Sequence, residues 1–294
     1  MDSILQHPRY VALKMLRADC YGGHHDIFET DILFKIWQVS QKSSHQGRSH
    51  VLHLLDKFTH TGPNGEHVCL VFDVLGQYLD FQTAKYKGGR LPVKSVKLLE
   101  KQLLLGLDYL HTECGIIHTG LKPTNILLEL EKPEVAMSKY LSLVAPRMTE
   151  TKPQIPLREA ITTPPISEIT HPKVRIVDFG VASWRTKHLG DLIQPQALRA
   201  PEVTIGAPWD TGVDIWSLGC ILVELIQRIV LFTGTPSARG TWTAEDDHLA
   251  QIIEVIGPFP TSFLQSESEV KNCLIQKEIF FELTLSNSPT LNGY

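Results

Sequence analysis

The spacing of apolar residues in the first quarter of the chain predicts strands and one helix. The run from Tyr10 to Leu16 predicts a buried strand that carries a single lysine, Lys14. Residues Ile27 to Val39 have the apolar spacing of a helix. The run from His67 to Phe72 predicts another strand, and the turn sequence from Gly62 to Gly65 before it predicts a hairpin.

The rest of the chain is predicted to be mainly helical. Apolar residues from Val93 to His111 recur at helical spacing with lysines between them, which is typical of an amphipathic helix. Asp214 begins a second, buried helix that continues to about Arg228, and Thr241 opens a third that runs through Ile256. An Asp at the start of a buried helix is often an ordinary N-cap.

Composition narrows the class of protein. The 294 residues are enough for about two domain-sized units, and 43% hydrophobic with 20% charged residues is typical of a soluble globular chain. A net charge of −4 predicts no direct binding to nucleic acid or to a membrane surface. The five cysteines have no CxxC spacing, so neither a disulfide framework nor a zinc site is indicated.

Four short motifs occur in a fixed order along the chain. They are the loop from His118 to Asn125, then Asp178-Phe179-Gly180, Ala200-Pro201-Glu202, and the segment from Asp214 to Gly219. In this order they resemble the protein kinase family. The His-Thr start of the loop, with Trp184, Lys187 and His188 later on, resembles the SR-protein kinases, most closely those of fungal type.

The resemblance implies a two-lobe α+β kinase-like fold with an incomplete small lobe. Residues 1–75 correspond to a remnant of the N-lobe, residues 76–260 to the C-lobe with a Pro-rich insert at about 129–173, and residues 261–294 to a divergent tail. Only about nine residues precede the Lys14 strand, so the family's first two strands and Gly-rich loop are not expected, and this strand should form a sheet edge. Proline density predicts a flexible surface insert, either a solvated loop or a docking segment.

The resemblance also implies a nucleotide site. Lys14 would grip the phosphates of ATP, although a lysine at a strand end can also simply reach toward solvent. Its acidic partner on the following helix would be Asp31, with Glu29 as the competing choice, because residues two apart on a helix face different ways. Phe72 would stand at the gatekeeper position, with the backbone of Asp73 and Leu75 facing adenine.

The catalytic positions carried over from the family contain one departure. Lys122 would reach the transferred phosphate, and Asn125 with Asp178 would hold Mg²⁺. Gly120 stands where the family has the Asp that accepts the substrate proton. Because a positioned base contributes roughly 10² to 10⁴ in rate, we expect severely impaired catalysis. Whether the chain is an active enzyme is therefore an open question at this point.

Two functions follow from these expectations. The first is ATP-dependent phosphorylation of serine in Arg/Ser-rich proteins, and the second is a non-catalytic pseudokinase or decoy that binds such proteins. The acidic residues Glu245, Asp246 and Asp247 would either bind Arg-rich substrate or only favour the dipole of their helix. The family implies an intracellular location, cytoplasmic or nuclear.

Overall fold

The computed structural model describes residues 10–18, 28–143, 147–148, 156–157, 162–260 and 263. Expectations about the tail, apart from Phe263, therefore lie outside the described residues. The strands are β1 (Val11–Met15), β2 (Asp56–Gly62), β3 (Gly65–Asp73), β4 (Ile116–Ile117), β5 (Ile126–Leu128), β6 (Arg147–Met148), β7 (Pro156–Leu157), β8 (Val174–Ile176) and β9 (Ser183–Trp184). The α-helices are α1 (Glu29–Ser40), α2 (Leu79–Thr83), α3 (Val93–Asp108), α4 (Pro133–Leu143), α5 (Pro201–Thr204), α6 (Gly212–Gln227) and α7 (Ala244–Ile256).

The small lobe contains a three-stranded antiparallel sheet with the order β1-β3-β2. The predicted hairpin is confirmed, because β2 and β3 pair up to the Gly62–Gly65 turn. Gly65 has a φ of 116°, a conformation that glycine adopts without steric cost. Among the described residues β1 pairs only with β3, so the Lys14 strand lies at a sheet edge as predicted.

Helix α1 packs beside this sheet through one apolar face. Ile32, Leu33 and Ile36 are buried, and their spacing of one and four residues places them on the same side of the helix. The helix begins at Glu29, slightly later than the apolar pattern predicts. This packing presents the first turn of α1 to Lys14 on β1.

The large lobe is built around α3 and α6, whose apolar residues are buried in the main core. Both predicted helices are confirmed, and α3 ends in a π-helical turn, Tyr109–Cys114. Gly115 follows in the left-handed region with a φ of 67° and turns the chain into β4. The core is continuous between the lobes, where Val51 pairs with Ile176 of β8.

The described parts of the insert contain regular elements, and the predicted flexibility of the insert stays a prediction. The insert begins with helix α4, contains the short β6–β7 pair, and ends in a 3₁₀ turn, Ile166–Glu168. Proline is compatible with this helix because Pro133 occupies its first position, where a missing N–H group costs nothing. No helix within the described ranges has both the length and the apolar character needed to cross a bilayer.

Candidate functional site

A cavity of about 490 Å³ lies between the two lobes. Six of the residues singled out from the sequence line this cavity, and they come from both lobes. They are Lys14, Phe72, Asp73, Leu75, Asn125 and Asp178. Gly120 and Lys122 line a neighbouring cavity of about 540 Å³, which shares Glu29, Asn125 and Asp178 with the first. The two cavities therefore meet at these three side chains.

Lys14 lies between two carboxylates at this junction. Its Nζ donates to Oε1 of Glu29 at 2.6 Å and to Oδ1 of Asp178 at 3.0 Å. Partial burial by itself lowers the pKa of Lys14, but the bonds and charges of the two carboxylates outweigh it, so the pKa is raised. Lys14 is thus held as a cation that points into the cleft and not along the surface.

Lys14 pairs with Glu29 and not with the favoured Asp31, which corrects the sequence-based expectation. Glu29 is 4% exposed and faces the cleft, whereas Asp31 lies on the solvent side of α1. The two positions differ by about 200° around the helix axis, so only one can face β1. Glu29 also has the longer side chain of the two, which brings its carboxylate to hydrogen-bonding distance of Lys14.

Asp178 follows β8 in a backbone conformation that is unusual for a residue with a side chain, with a φ of 66°. Burial alone would raise the pKa of its carboxyl group, but the hydrogen bond and charge of Lys14 dominate together with the charge of Lys122, and the pKa is lowered. The group is therefore a fixed anion at the junction of the two cavities.

The loop that carries Gly120 is held from beneath by Asp214 of α6. The fully buried carboxylate accepts the backbone N–H groups of His118 and Thr119, each at 2.8 Å, and a third bond from Nε2 of His111 at 2.8 Å. The residue at the N-cap of α6 is Thr211. Asp214 thus braces the backbone of this loop, and the ordinary N-cap interpretation is wrong.

His118 is buried within the same loop and is neutral, because complete burial lowers the pKa of its imidazole. Its Nε2–H donates to the carbonyl of Val177 at 3.0 Å, which leaves Nδ1 to accept the N–H of Gly120 at 3.2 Å. The ring also meets Phe179 edge-on, with centroids 5.3 Å apart. His118 thus connects the Gly120 loop to the strand end that carries Asp178.

Gly120 contributes only its backbone to the site. Its carbonyl accepts Nδ2–H of Asn125 at 3.0 Å. A Cβ built on Gly120 would lie 2.6 Å from Cγ2 of Val181, but this valine is 63% exposed and can rotate away. The Cβ of an Asp side chain is therefore accommodated at this position once Val181 moves.

The donor set is compatible with Mg²⁺, which prefers oxygen ligands and usually uses one or two carboxylates together with phosphate oxygens. Asp178 offers a second carboxylate oxygen besides the one bonded to Lys14. Because Asn125 donates through Nδ2, its amide oxygen is left as the group that can face a cation. No cluster of three or more metal-binding side chains occurs among the residues that the structure describes.

The acidic residues at the start of α7 already make local contacts. Thr243 and Asp246 form a capping box, and Asp247 accepts the N–H of Thr235 at 2.7 Å and an amide N–H of Gln251 at 2.8 Å. These contacts account for Asp246 and Asp247 without any ligand. Binding of an Arg-rich peptide by Glu245, Asp246 and Asp247 stays a prediction.

Two features of the site have no local signal in the sequence. His111 meets Asp214 across 103 positions, and a buried polar cluster joins Gln77 to Thr163 across 86 positions. Neither pair has a characteristic spacing, so only the folded chain brings the partners together.

Comparison with known proteins agrees with this geometry. The protein kinase domain family matches residues 4–279. The chain is 36% identical over 282 residues to the serine/threonine-protein kinase SRPK of Physarum polycephalum, covering 89% of this chain and 64% of that protein. It is 32% identical over 340 residues to protein kinase dsk1 of Schizosaccharomyces pombe (86% and 62%) and 24% identical over 456 residues to the serine/threonine-protein kinase SKY1 of Saccharomyces cerevisiae (87% and 61%).

The chain therefore spans less than two thirds of the length of each of these three relatives. The family match, in contrast, extends over nearly all of the chain and includes every motif described above. On this evidence the chain belongs to the protein kinase domain family.

Proposed function

We propose that this chain is a serine/threonine protein kinase-like domain of the SR-protein kinase type that binds Mg-ATP between its lobes but transfers phosphate very slowly. The observation that carries the proposal is the position of Lys14, bonded to both Glu29 and Asp178 at the inner end of the cavity. This cation is placed to meet phosphate oxygens, and its two carboxylates keep it oriented.

The cavity suits a nucleotide in size and lining. Its volume of about 490 Å³ falls in the range of small-molecule sites, and apolar side chains surround a few fixed polar groups. The end of β3 and the residues after it, Phe72, Asp73 and Leu75, form the wall where adenine would lie. Asp178 and Asn125 would hold Mg²⁺, which when bound neutralises charge on the phosphates.

Catalysis is impaired because Gly120 has no group that can accept the proton of a substrate hydroxyl. The loss corresponds to roughly 10² to 10⁴ in rate, the contribution of a positioned base. Phosphoryl transfer depends mainly on position and charge, and Lys122, Asn125 and Asp178 are all in place around the neighbouring cavity. We therefore expect slow turnover and not complete loss.

The alternative function is a non-catalytic protein that binds Arg/Ser-rich partners, and Gly120 is the observation that favours it. The relatives' names support a substrate of this class, and the acidic turn from Glu245 to Asp247 would supply the opposite charge. Under this alternative the cleft would bind nucleotide without turnover, as a pseudokinase or decoy.

The experiment compares the natural chain with its Gly120→Asp variant. Mg-ATP-dependent phosphorylation of an Arg/Ser-repeat peptide is measured beside the shift in melting temperature caused by Mg-ATP. We expect both proteins to be stabilised by nucleotide, and the Asp variant to turn over at least about 100-fold faster. Combining Gly120→Asp with Val181→Ala controls for the close approach of Val181.

The outcomes separate the parts of the proposal. Stabilisation of the natural chain by Mg-ATP with no turnover in either Asp variant would favour the binding protein. A natural chain that is not stabilised by Mg-ATP, while it still melts cooperatively, would overturn the nucleotide site itself.

A further inference from the structure

The last part of the insert is bound to the large lobe by a buried polar cluster. We define the insert clamp as Gln77, Gln82, Lys85 and Thr163. Gln82 is fully buried on α2, and Thr163 and Gln77 are nearly so. All four residues lie outside the lining of the nucleotide cavity.

Gln82 both donates and accepts hydrogen bonds within the clamp. Nε2 of Gln82 donates to Oγ1 of Thr163 at 2.8 Å and to the carbonyl of Pro164 at 3.1 Å, while its Oε1 accepts the N–H of Ile166 at 2.9 Å. Nζ of Lys85 donates to Oε1 of Gln77 at 2.9 Å and to the carbonyl of Thr163. The insert end is thus fixed at Thr163, Pro164 and Ile166, and breaking a buried network of this kind is costly.

The same insert end touches the segment that follows β3. A Cβ built on Gly76 would lie only 2.5 Å from Cγ2 of Thr163, so the Thr163 methyl group packs directly against the backbone at this glycine. On its other side the segment is bonded to β5, with the N–H of Gly76 donating to Leu128 at 2.7 Å and the N–H of Leu128 donating to Gln77 at 3.1 Å. The segment is therefore enclosed between β5 and the insert.

This enclosed segment is part of the nucleotide cavity wall. Leu75 and Tyr78 line the cavity on either side of Gly76 and Gln77. If Thr163 moved away from Gly76, the segment after β3 would lose its support on one side, and the cavity would become wider. The insert is thus in contact with the nucleotide cavity through a single layer of backbone.

We propose that Gln82 and Thr163 are positioning residues for nucleotide binding and that the insert clamp sets the width of the cavity. The inference rests on the proposed function, because it assumes that the cavity binds Mg-ATP. It gives the insert a role in the nucleotide site without any direct contact to the nucleotide.

The test uses variants of the whole chain and measures the dissociation constant for Mg-ATP by calorimetry and the melting temperature without nucleotide. Gln82→Leu removes all three bonds of this side chain at similar volume, and Thr163→Val removes one hydroxyl with little change of shape. Thr163→Ser is the matched control, because it keeps the hydroxyl. We expect binding to weaken about fivefold to tenfold in Gln82→Leu, by a smaller factor in Thr163→Val, and least in Thr163→Ser, which keeps the hydroxyl and loses only the methyl group.

The two measurements distinguish positioning from simple support of the fold. If Gln82→Leu and Thr163→Val melt at lower temperature but bind Mg-ATP as the natural chain does, the clamp is only structural and the inference is wrong. If Gln82→Leu does not fold, the comparison of Thr163→Val with Thr163→Ser decides. Failure of the natural chain to bind Mg-ATP would instead overturn the proposed function.

Discussion

Glu29 and Asp31 differ by two positions on α1, and this spacing decides which carboxylate meets Lys14. The sequence-based expectation favours Asp31, but the direction of α1 on the sheet turns that residue to solvent. Glu29 is buried and lies 2.6 Å from the ammonium group. A charged group this close in a partly buried site contributes more than an exposed pair.

The first prediction compares these two carboxylates by removing one charge at a time. Glu29→Gln is expected to weaken Mg-ATP binding about tenfold, because Lys14 loses the partner that orients it toward the phosphates. Asp31→Asn is the matched control and should bind as the natural chain does. Nucleotide titration by calorimetry checks both, and a larger effect of Asp31→Asn would contradict the observed pairing.

The second prediction concerns the three bonds that Asp214 accepts. Asp214→Asn replaces one acceptor oxygen by a donor facing N–H groups, which leaves buried groups unpaired. We expect the free energy of unfolding to fall by about 3 kcal/mol or more, since removing one member of a buried charged network has this effect. Urea unfolding measures it, and the exposed Asp31→Asn serves as the comparison.

Among the helices and strands, the insert differs most from its prediction. Proline density predicts a flexible insert, yet among the described residues Pro133 stands at the first position of α4 and Pro165 is extended before the 3₁₀ turn, where a fixed φ is tolerated. The end of the insert is then held by α2 through side chains that are distant in sequence. A proline count therefore describes which backbone conformations are allowed and not whether a segment is docked.

The third prediction tests the contact between Gly76 and the insert. Gly76→Ala places a methyl group 2.5 Å from Cγ2 of Thr163, so we expect a lower melting temperature and weaker Mg-ATP binding. Thr163→Ser removes that methyl group and keeps the hydroxyl. Added to Gly76→Ala, it is expected to restore both quantities in large part. An absence of rescue in this double-mutant cycle would show that the two residues are not in contact.

In the whole molecule, the main core runs through both lobes and buries several histidines. His50, His53, His118 and His248 each have a pKa below the ordinary value of 6.5, in every case chiefly because burial disfavours the charged ring. For His53 the pKa falls to about 4, with Arg175 and Arg48 adding to the effect of burial. These four groups are neutral in the folded chain at neutral pH.

The fourth prediction is a loss of stability in mild acid. Below pH 6.5 the histidines are protonated in the unfolded chain and not in the folded chain, so the unfolded state binds more protons. The free energy of unfolding therefore decreases as the pH is lowered. Each such histidine contributes a slope of up to about 1.4 kcal/mol per pH unit once its unfolded form is charged. Burial raises the pKa of Glu202, so near pH 4.5 the folded chain binds more protons at this group and the effect on stability is opposite to that of the histidines. The useful window for the measurement is therefore about pH 5.5 to 7.

Urea unfolding across this window checks the prediction. His118→Gln keeps an amide N–H for the carbonyl of Val177 and cannot be protonated, so we expect it to reduce the pH slope by the share of one histidine. A natural chain with equal stability at pH 7 and pH 5.5 would contradict the assignment of buried neutral rings.

The sequence by itself determined the family, the order of the elements, and the residues at the junction of the cleft. Apolar periodicity is a local property, and it located the Gly62–Gly65 hairpin and the helices at α3, α6 and α7 within a few residues. The kinase motifs are also local, so Lys14, Gly120 and Asp178 could be found without coordinates.

Only the tertiary structure decided which of two acidic residues faces Lys14, what Asp214 supports, and how the insert meets the cavity wall. Each of these depends on the direction in which an element packs and on partners as many as 103 positions apart. Such contacts form because buried polar groups must find partners wherever the fold places them, and the sequence near either partner does not record where that is.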